Sequence, residues 1–153
     1  MRSDTLNNSS GKYGGRSNDV VFVIDAAAVT LNSADSGKVH VIPDLTADST
    51  FSLPSAEAGL AYEFWYGGTA ADTHDWLIDT GADANYFVGG LVLDDTDDGS
   101  SVVVDSNGSS NSKMAVLTPI AGTLVKLVCD GVKWYVNGQV VSATDAAVTF
   151  ADQ

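Results

Sequence analysis

The 153-residue sequence has little cysteine and no long apolar run. Its single cysteine, Cys129, cannot form a disulfide within the chain, and its place among alternating apolar residues predicts a small buried side chain. No apolar run approaches the length of a membrane span, and the opening residues 1–15 lack the apolar centre of a secretion signal. We therefore expect a soluble protein that is made without a secretion signal and has no membrane partner.

Basic residues are also scarce, with 7 lysines and arginines against 20 acidic residues and a net charge of −13. This balance argues against binding to nucleic acid, because phosphate contacts require clustered lysine and arginine. Three of the basic residues lie within residues 1–19 beside only two acidic ones. That segment therefore carries +1 and the remainder −14, which together make −13.

Motifs that carry catalysis are absent from the sequence. It has no nucleophile elbow, zinc-ligand spacing or phosphate-binding loop. His74 lies beside Asp72 and Asp75, and His40 lies in a different strand, so a metal site at the two histidines would need a third ligand; Glu57 and Glu63 are the only glutamates. We therefore expect a protein that is not an enzyme.

The clearest pattern that is present runs through residues 122–142, GTLVKLVCDGVKWYVNGQVVS. It predicts three antiparallel strands joined by two-residue type I′ turns at Asp130-Gly131 and Asn137-Gly138, since both dipeptides suit that turn. In this register Cys129 would face Val132. Apolar residues would then share one face of the meander and polar residues the other.

Short apolar runs separated by turn residues continue this pattern from Val20 onwards. This spacing is typical of a sandwich or barrel. The predicted fold class is therefore all-β, a single jelly-roll-like barrel or sandwich of short antiparallel strands over residues 20–153, with an extended N-terminal arm over residues 1–19. The pair Gly89-Gly90 within one run predicts a bulge or a close approach of two backbones.

The arm is rich in serine, asparagine and glycine, so it cannot bury enough apolar surface to fold alone. It is either a disordered tail or a segment that becomes ordered on a partner. In the second case Arg2, Lys12 and Arg16 would bind an acidic surface and Tyr13 would anchor the contact.

The most acidic stretch, DDTDDG, is the best candidate for a metal site. Numbered as a calcium loop with Gly99 at its sixth position, it would offer oxygens from Asp94, Thr96, Asp98 and Asp105. The flanking sequence predicts strands instead of helices, and the alternative is a solvated acidic turn. The solvated turn is the preferred interpretation, so we expect no cofactor, with calcium as the alternative.

Two segments, TFSLPSAEAGLAYEFWY and VKLVCDGVKWYVNGQVV, resemble the β-rich structural proteins of tailed bacteriophages, and most closely their head decoration, or cement, proteins. This resemblance implies a homotrimer in the virion, on the outer surface of the capsid, after synthesis in the host cytoplasm. There it would bind the major capsid protein and stabilise the shell by bridging neighbouring capsomers, without catalysis. Similar motifs occur in phage tail and fibre proteins, including receptor-binding tips.

The octapeptide VKWYVNGQ also resembles a strand pair of laminin-G and concanavalin-like sandwiches. That resemblance implies a glycan-binding module. Its exposed aromatic residues, Trp65, Tyr66 or Trp76, would stack on sugar rings, and calcium would bind at the acidic loop. The same aromatics would serve as contact residues in a protein interface.

Overall fold

The computed structural model describes residues 20–68 and 73–153, which form a sandwich of two mixed β-sheets. The strands in chain order are β1 (Val20–Phe22), β2 (Ala28–Thr30), β3 (Val39–Ile42), β4 (Ser49–Ser52), β5 (Ala61–Tyr66), β6 (Trp76–Asp79), β7 (Phe87–Asp95), β8 (Ser100–Asp105), β9 (Lys113–Val116), β10 (Leu124–Cys129), β11 (Trp134–Ser142) and β12 (Val148–Ala151). The predicted all-β class and sandwich are confirmed. Within these two ranges no helix is long and apolar enough to cross a membrane.

One sheet has seven strands in the order β1-β3-β5-β10-β11-β7-β8, and the other has five in the order β12-β9-β6-β4-β2. Neither sheet closes into a barrel. Of the ten strand pairs in the described part of the chain, five are parallel. The prediction of antiparallel strands throughout is therefore wrong, and the pairing differs from the antiparallel pairing of a jelly roll.

Four of the five parallel pairs arise because the first six strands alternate between the two sheets; the fifth joins β7 and β11. Strands β1, β3 and β5 lie side by side in the seven-stranded sheet, while β2, β4 and β6 lie side by side in the other. The chain therefore winds as a flat coil with two strands per turn, and each turn adds one parallel strand to each sheet. Parallel neighbours need a crossover, and here the strand in the opposite sheet provides it.

The hairpin of β10 and β11 has a longer loop than the sequence predicts. Cys129 lies opposite Trp134, so Val132 is in the loop and not on the core face. The Oδ1 of Asp130 accepts hydrogen bonds from the backbone N–H groups of Val132 at 2.9 Å and Lys133 at 2.7 Å. This side chain closes a four-residue loop, because aspartate readily bonds to the backbone two residues ahead.

The second predicted turn, Asn137-Gly138, is not a turn. Both residues lie within β11, which continues to Ser142 between β10 and β7. A Cβ at Gly138 would overlap the carbonyl oxygen of Leu124, so the glycine permits a close approach of two strands. As a consequence Val140 is buried, and Val141 is only half-buried instead of lying on the core face.

The core lies between the sheets and is rich in aromatic residues. Phe64 of the seven-stranded sheet makes edge contacts with Phe51 and Trp76 of the other sheet, with ring centroids 5.9 and 5.5 Å apart. Trp134 is fully buried against Tyr62, and Cys129 is buried as a free thiol, as predicted. Aromatic side chains of this kind bury large areas, so these contacts hold the two sheets together.

Gly89 and Gly90 bring backbones close together, as predicted. A Cβ on Gly89 would lie 2.5 Å from the carbonyl oxygen of Val136, and one on Gly90 would lie 2.5 Å from that of Val104. The strand before this pair, β6, is in the opposite sheet from β7. The connection after Thr80 therefore crosses the sandwich.

Candidate interaction surface

The outer face of the seven-stranded sheet carries a row of mostly apolar residues. Cross-strand neighbours are Phe22 and Val41, Val41 and Trp65, Trp65 and Leu124, Leu124 and Gln139, Gln139 and Val92, and finally Val92 and Val103. Gln139 is the only polar member. We call the six apolar residues, Phe22, Val41, Trp65, Leu124, Val92 and Val103, the apolar band. With strands about 4.8 Å apart, it is roughly 29 Å long.

Four members of the apolar band are well exposed. The exposed fraction is 76% for Phe22, 60% for Val103, and 39% for both Trp65 and Val92. Single exposed apolar residues are ordinary, whereas a contiguous series usually marks a contact surface.

A second apolar group lies on the same face, nearer one end of the strands. Val128, 50% exposed, is opposite Tyr135, 45% exposed, and opposite Ala61 on its other side. Tyr135 also lies opposite Val88 of β7. The apolar area of this sheet face therefore extends beyond a single row.

A polar row separates these two groups, and its charges are paired. Lys126 lies opposite Glu63, and its Nζ is 3.3 Å from the Oε2 of that carboxylate. The other carboxylate oxygen accepts a hydrogen bond of 2.7 Å from the Nε1 of Trp65. Covering this face would therefore bury no unpaired charge from the Glu63 and Lys126 pair, which lowers the desolvation cost of a contact.

The outer face of the five-stranded sheet is different. The row that crosses all five of its strands consists of Ala28, Thr50, Leu77, Ala115 and Thr149. Leu77 is the only large apolar residue among them, and it is half-buried. The two faces are therefore unequal, and the seven-stranded sheet has the apolar one.

Of the three aromatics predicted from the sequence as contact residues, only Trp65 is exposed. Tyr66 and Trp76 are buried, with 2% and 0% of their surface exposed. Tyr66 points to the opposite face of β5 from Trp65, and Trp76 packs against Phe51 with ring centroids 5.7 Å apart. The expectation that Tyr66 or Trp76 contacts a ligand at the surface is therefore wrong.

The four residues predicted as calcium ligands do not meet. The Oδ1 of Asp94 accepts a hydrogen bond from Ser101, its cross-strand neighbour on β8. Asp105 lies opposite Gly90, which is four residues from Asp94 along β7. This separation is about 13 Å along the strand. Asp94, Thr96, Asp98 and Asp105 therefore do not form one site.

A different set of carboxylates does come together near the same turn. Asp95, Asp98 and Asp145 each place one oxygen within 4.8 Å of the others. A hydrogen bond with the Asp95 carboxyl, together with its negative charge, raises the pKa of Asp145 above its ordinary 3.8. Asp95 is buried and accepts a hydrogen bond of 3.0 Å from the N–H of Asp97. Any cation held by carboxylates at this turn would use these three residues and not the predicted set.

The predicted arm residues Arg2, Lys12, Tyr13 and Arg16 lie outside the described residues. Prediction from sequence found Trp65 in the apolar band but missed its five other members, among them Val92 and Val103. The sequence pattern does contain a signal, since Val102 and Val103 are adjacent valines and must point to opposite sides of their strand. Both are exposed, at 52% and 60%, because β8 is an edge strand.

No known family model matches the chain, and no curated protein is significantly similar to it.

Proposed function

We propose that this protein is a structural protein of a tailed-phage virion that binds the outer surface of the capsid and stabilises it, without catalysis. The apolar band is the observation that supports this proposal. It gives the protein a broad contact face of the kind that a lattice of capsid subunits would cover. The capsid as partner follows from the resemblance of residues 50–66 and 125–141 to phage decoration proteins.

The mechanism in this proposal is physical. Each attached copy adds buried interface between capsomers. Because the protein binds the assembled lattice better than its separate parts, its binding stabilises the shell against disassembly by mass action. A homotrimer would engage several capsid subunits at once and would make modest single contacts durable. Because Glu63 and Lys126 are paired, covering this face costs less than burying the same two charges unpaired.

The N-terminal arm supplies a second contact in this proposal. Its net charge of +1 contrasts with −14 for the rest of the chain. Arg2, Lys12 and Arg16 would lie against an acidic surface of the capsid or of a sister subunit. Such contacts weaken as salt rises, whereas contacts through the apolar band do not.

The test is co-sedimentation of the purified protein with phage heads stripped of accessory proteins, in low and high salt. Val103→Asp places a carboxylate in the apolar band on edge strand β8. Thr149→Asp is its matched control, because it places the same group at an exposed position of edge strand β12 on the other sheet.

We expect the wild-type protein to pellet at a fixed ratio per shell, the Thr149→Asp variant to pellet equally, and the Val103→Asp variant to lose at least tenfold in affinity. Equal pelleting of the two variants would show that the apolar band does not contribute to capsid binding. No pelleting of the wild-type protein in either salt would contradict a capsid partner.

Glycan binding is a second candidate function, favoured by the position of Trp65. The residue is 39% exposed, and a hydrogen bond to Glu63 holds its indole on the outer face of the seven-stranded sheet, where a sugar ring could stack on it. A glycan array with the wild-type protein and the Trp65→Ala variant tests this function. Binding that the variant loses would favour it, and an array without binding would reject it.

A further inference from the structure

The dipeptide Asn-Gly occurs twice in the sequence, at Asn107-Gly108 and at Asn137-Gly138. In this dipeptide the backbone nitrogen of the glycine can attack the side-chain amide of the asparagine, because glycine has no Cβ to hinder a close approach. The attack needs a chain that bends at the asparagine and a glycine N–H that is free to lose its proton. The two copies therefore place the same chemistry in two environments of one molecule.

The second copy lies in a protected position. Asn137 and Gly138 belong to β11, a central strand with β10 on one side and β7 on the other. A strand that is paired on both sides stays extended, so the chain cannot bend there to bring the two reacting atoms together. This copy serves as an internal control.

The first copy is open to solvent. Asn107 and Gly108 are exposed in the loop of residues 106–112, between β8 and β9. A Cβ on Gly108 would meet nothing within 4 Å, so the space around this residue is free. The N–H of Gly108 makes no hydrogen bond within the described ranges 20–68 and 73–153. Base from the solvent can therefore remove its proton.

The loop polarises the side-chain amide of Asn107. The Oδ1 atom accepts hydrogen bonds from the N–H groups of Ser109 and Ser110, both at 2.9 Å, and of Asn111 at 3.2 Å. Negative charge develops on this oxygen when a nucleophile attacks the amide carbon. The three N–H groups are already aimed at it and would stabilise that charge, as the donors of an oxyanion hole do. They also fold the side chain forward along the chain, beside Gly108.

The leaving group has a partner as well. The Nδ2 of Asn107 donates a hydrogen bond of 2.8 Å to the Oγ of Ser110. Once the amide carbon has been attacked, Nδ2 becomes an amine that can accept a proton, and a hydroxyl group can both donate and accept. Ser110 can therefore pass a proton to the departing nitrogen and recover one from water.

We propose that Asn107 is a site of spontaneous deamidation and that the loop of residues 106–112 assists the reaction. Hydroxide removes the proton of the Gly108 N–H, and this nitrogen forms a bond with the Cγ of Asn107. The bond between Cγ and Nδ2 then breaks, and Nδ2 takes a proton from Ser110 and leaves as ammonia. Water opens the resulting succinimide ring at either carbonyl, which gives aspartate or isoaspartate.

The reaction changes the loop that follows edge strand β8. Either product adds a negative charge close to Asp152, whose Oδ1 accepts a hydrogen bond of 3.4 Å from Asn111. Isoaspartate also leads the main chain through the former side chain, so the bonds that Oδ1 makes with the loop are lost. This site is separate from the apolar band, and its chemistry does not depend on a capsid partner.

The experiment follows deamidation of the purified full chain over time at mildly alkaline pH, both folded and unfolded in urea. Digestion and mass spectrometry measure the reaction at Asn107 and at Asn137 separately. Two variants accompany the wild type. Ser110→Ala removes the hydroxyl group beside Nδ2. Ser109→Ala is its matched control, because the hydroxyl group of Ser109 makes no hydrogen bond in the described part of the chain.

In the folded protein we expect Asn107 to deamidate at least about tenfold faster than Asn137, and about threefold faster than the same residue does in urea, where the donors of the loop are lost. The two sites should react at similar rates in urea. Ser110→Ala should slow the reaction at Asn107 by about threefold, and Ser109→Ala should leave it unchanged.

Two outcomes would overturn the proposal. One is a reaction at Asn107 that is no faster in the folded than in the unfolded protein, which would show that the hydrogen bonds of the loop restrain the amide. The other is a faster reaction in Ser110→Ala than in the wild type, which would show the same for the hydroxyl group. The comparison of folded and unfolded wild-type protein stands even if a variant fails to fold.

Discussion

The indole Nε1 of Trp65 donates a hydrogen bond of 2.7 Å to the Oε1 of Glu63, two positions earlier on β5. Residues two apart on a strand lie on the same face, so this bond lies within the sheet surface. The remaining oxygen of Glu63 contacts Lys126, and one carboxylate therefore fixes both neighbours.

Removing this carboxylate should free the indole without unfolding the protein. We expect Glu63→Ala to lower the free energy of unfolding by less than about 1 kcal/mol, because partly exposed ion pairs contribute little. The indole N–H signal of Trp65 should shift and exchange faster with solvent. Urea unfolding and NMR measure these effects, with Glu57→Ala at an exposed loop position as the control. An unchanged indole signal would contradict the hydrogen bond.

Gly89 and Gly99 offer a matched test of close backbone packing. Both have positive φ, +104° and +70°, so alanine is strained at either position. A Cβ on Gly89 would also meet the carbonyl oxygen of Val136 at 2.5 Å, whereas one on Gly99 would meet nothing within 4 Å. Gly89→Ala should therefore destabilise the protein by roughly 1–3 kcal/mol more than Gly99→Ala, a difference typical of overpacking. Urea unfolding of both variants checks this, and equal losses would show that β7 and β11 are less closely packed.

The strands could be located from sequence because burial alternates along them. Phe51 and Tyr62, for example, fall on the buried side of the alternation that the sequence shows. Their partners could not be predicted, since alternation fixes which face is buried but not which strand lies alongside. The turn predicted at Asn137-Gly138 was wrong for this reason. It suits a turn locally, but pairing with β10 and β7 on both sides keeps β11 extended.

The interaction surface was less predictable than the fold. Trp65 could be assigned to the face opposite Tyr62 and Phe64. The other members of the apolar band lie on five different strands, and the sequence does not show which strands are adjacent. The exposure of Val103 depends on β8 being an edge strand, which is a property of the whole sheet. The acidic cluster likewise includes Asp145, which is far in sequence from Asp95 and Asp98.

Asp145 should lower stability at neutral pH. The adjacent Asp95 raises its pKa, so the folded state binds a proton more tightly than the unfolded state does. Stability contributed by the protonated group is present below the ordinary pKa of 3.8 and is lost as pH rises through the raised value. Asp145→Asn should therefore stabilise the protein at pH 7 and have no such advantage below about pH 3.

Urea unfolding at pH 3 and pH 7 measures this difference, with Asp152→Asn at the exposed C-terminal end as the control. High salt should reduce the gain at pH 7, because it screens repulsion between exposed carboxylates. A variant that is less stable than the wild type at pH 7 would show that the carboxylate of Asp145 makes a net favourable contact.

His40 should make the protein sensitive to acid in a different pH range. Burial lowers the pKa of its imidazole. The backbone groups of Glu63 and Lys38 and the carboxylate of Asp35 oppose this shift, the charge of Lys38 adds to it, and the rings of Tyr62 and Phe64 are uncharged. Tyr62 stays neutral because burial raises its own pKa to about 12. The unfolded state therefore gains the proton first, so stability is complete above pH 6.5 and is lost as pH falls through the lowered pKa.

The variant His40→Phe isolates this effect, because it keeps an aromatic ring in the core and removes the titrating group. Its free energy of unfolding relative to the wild type should rise as pH falls from 8 to 5, with a slope that approaches about 1.4 kcal/mol per pH unit. Carboxylates that both proteins contain make the same pH-dependent contribution to the free energy of unfolding, so their effect cancels in this difference. A difference that stays constant with pH would contradict the lowered pKa of His40.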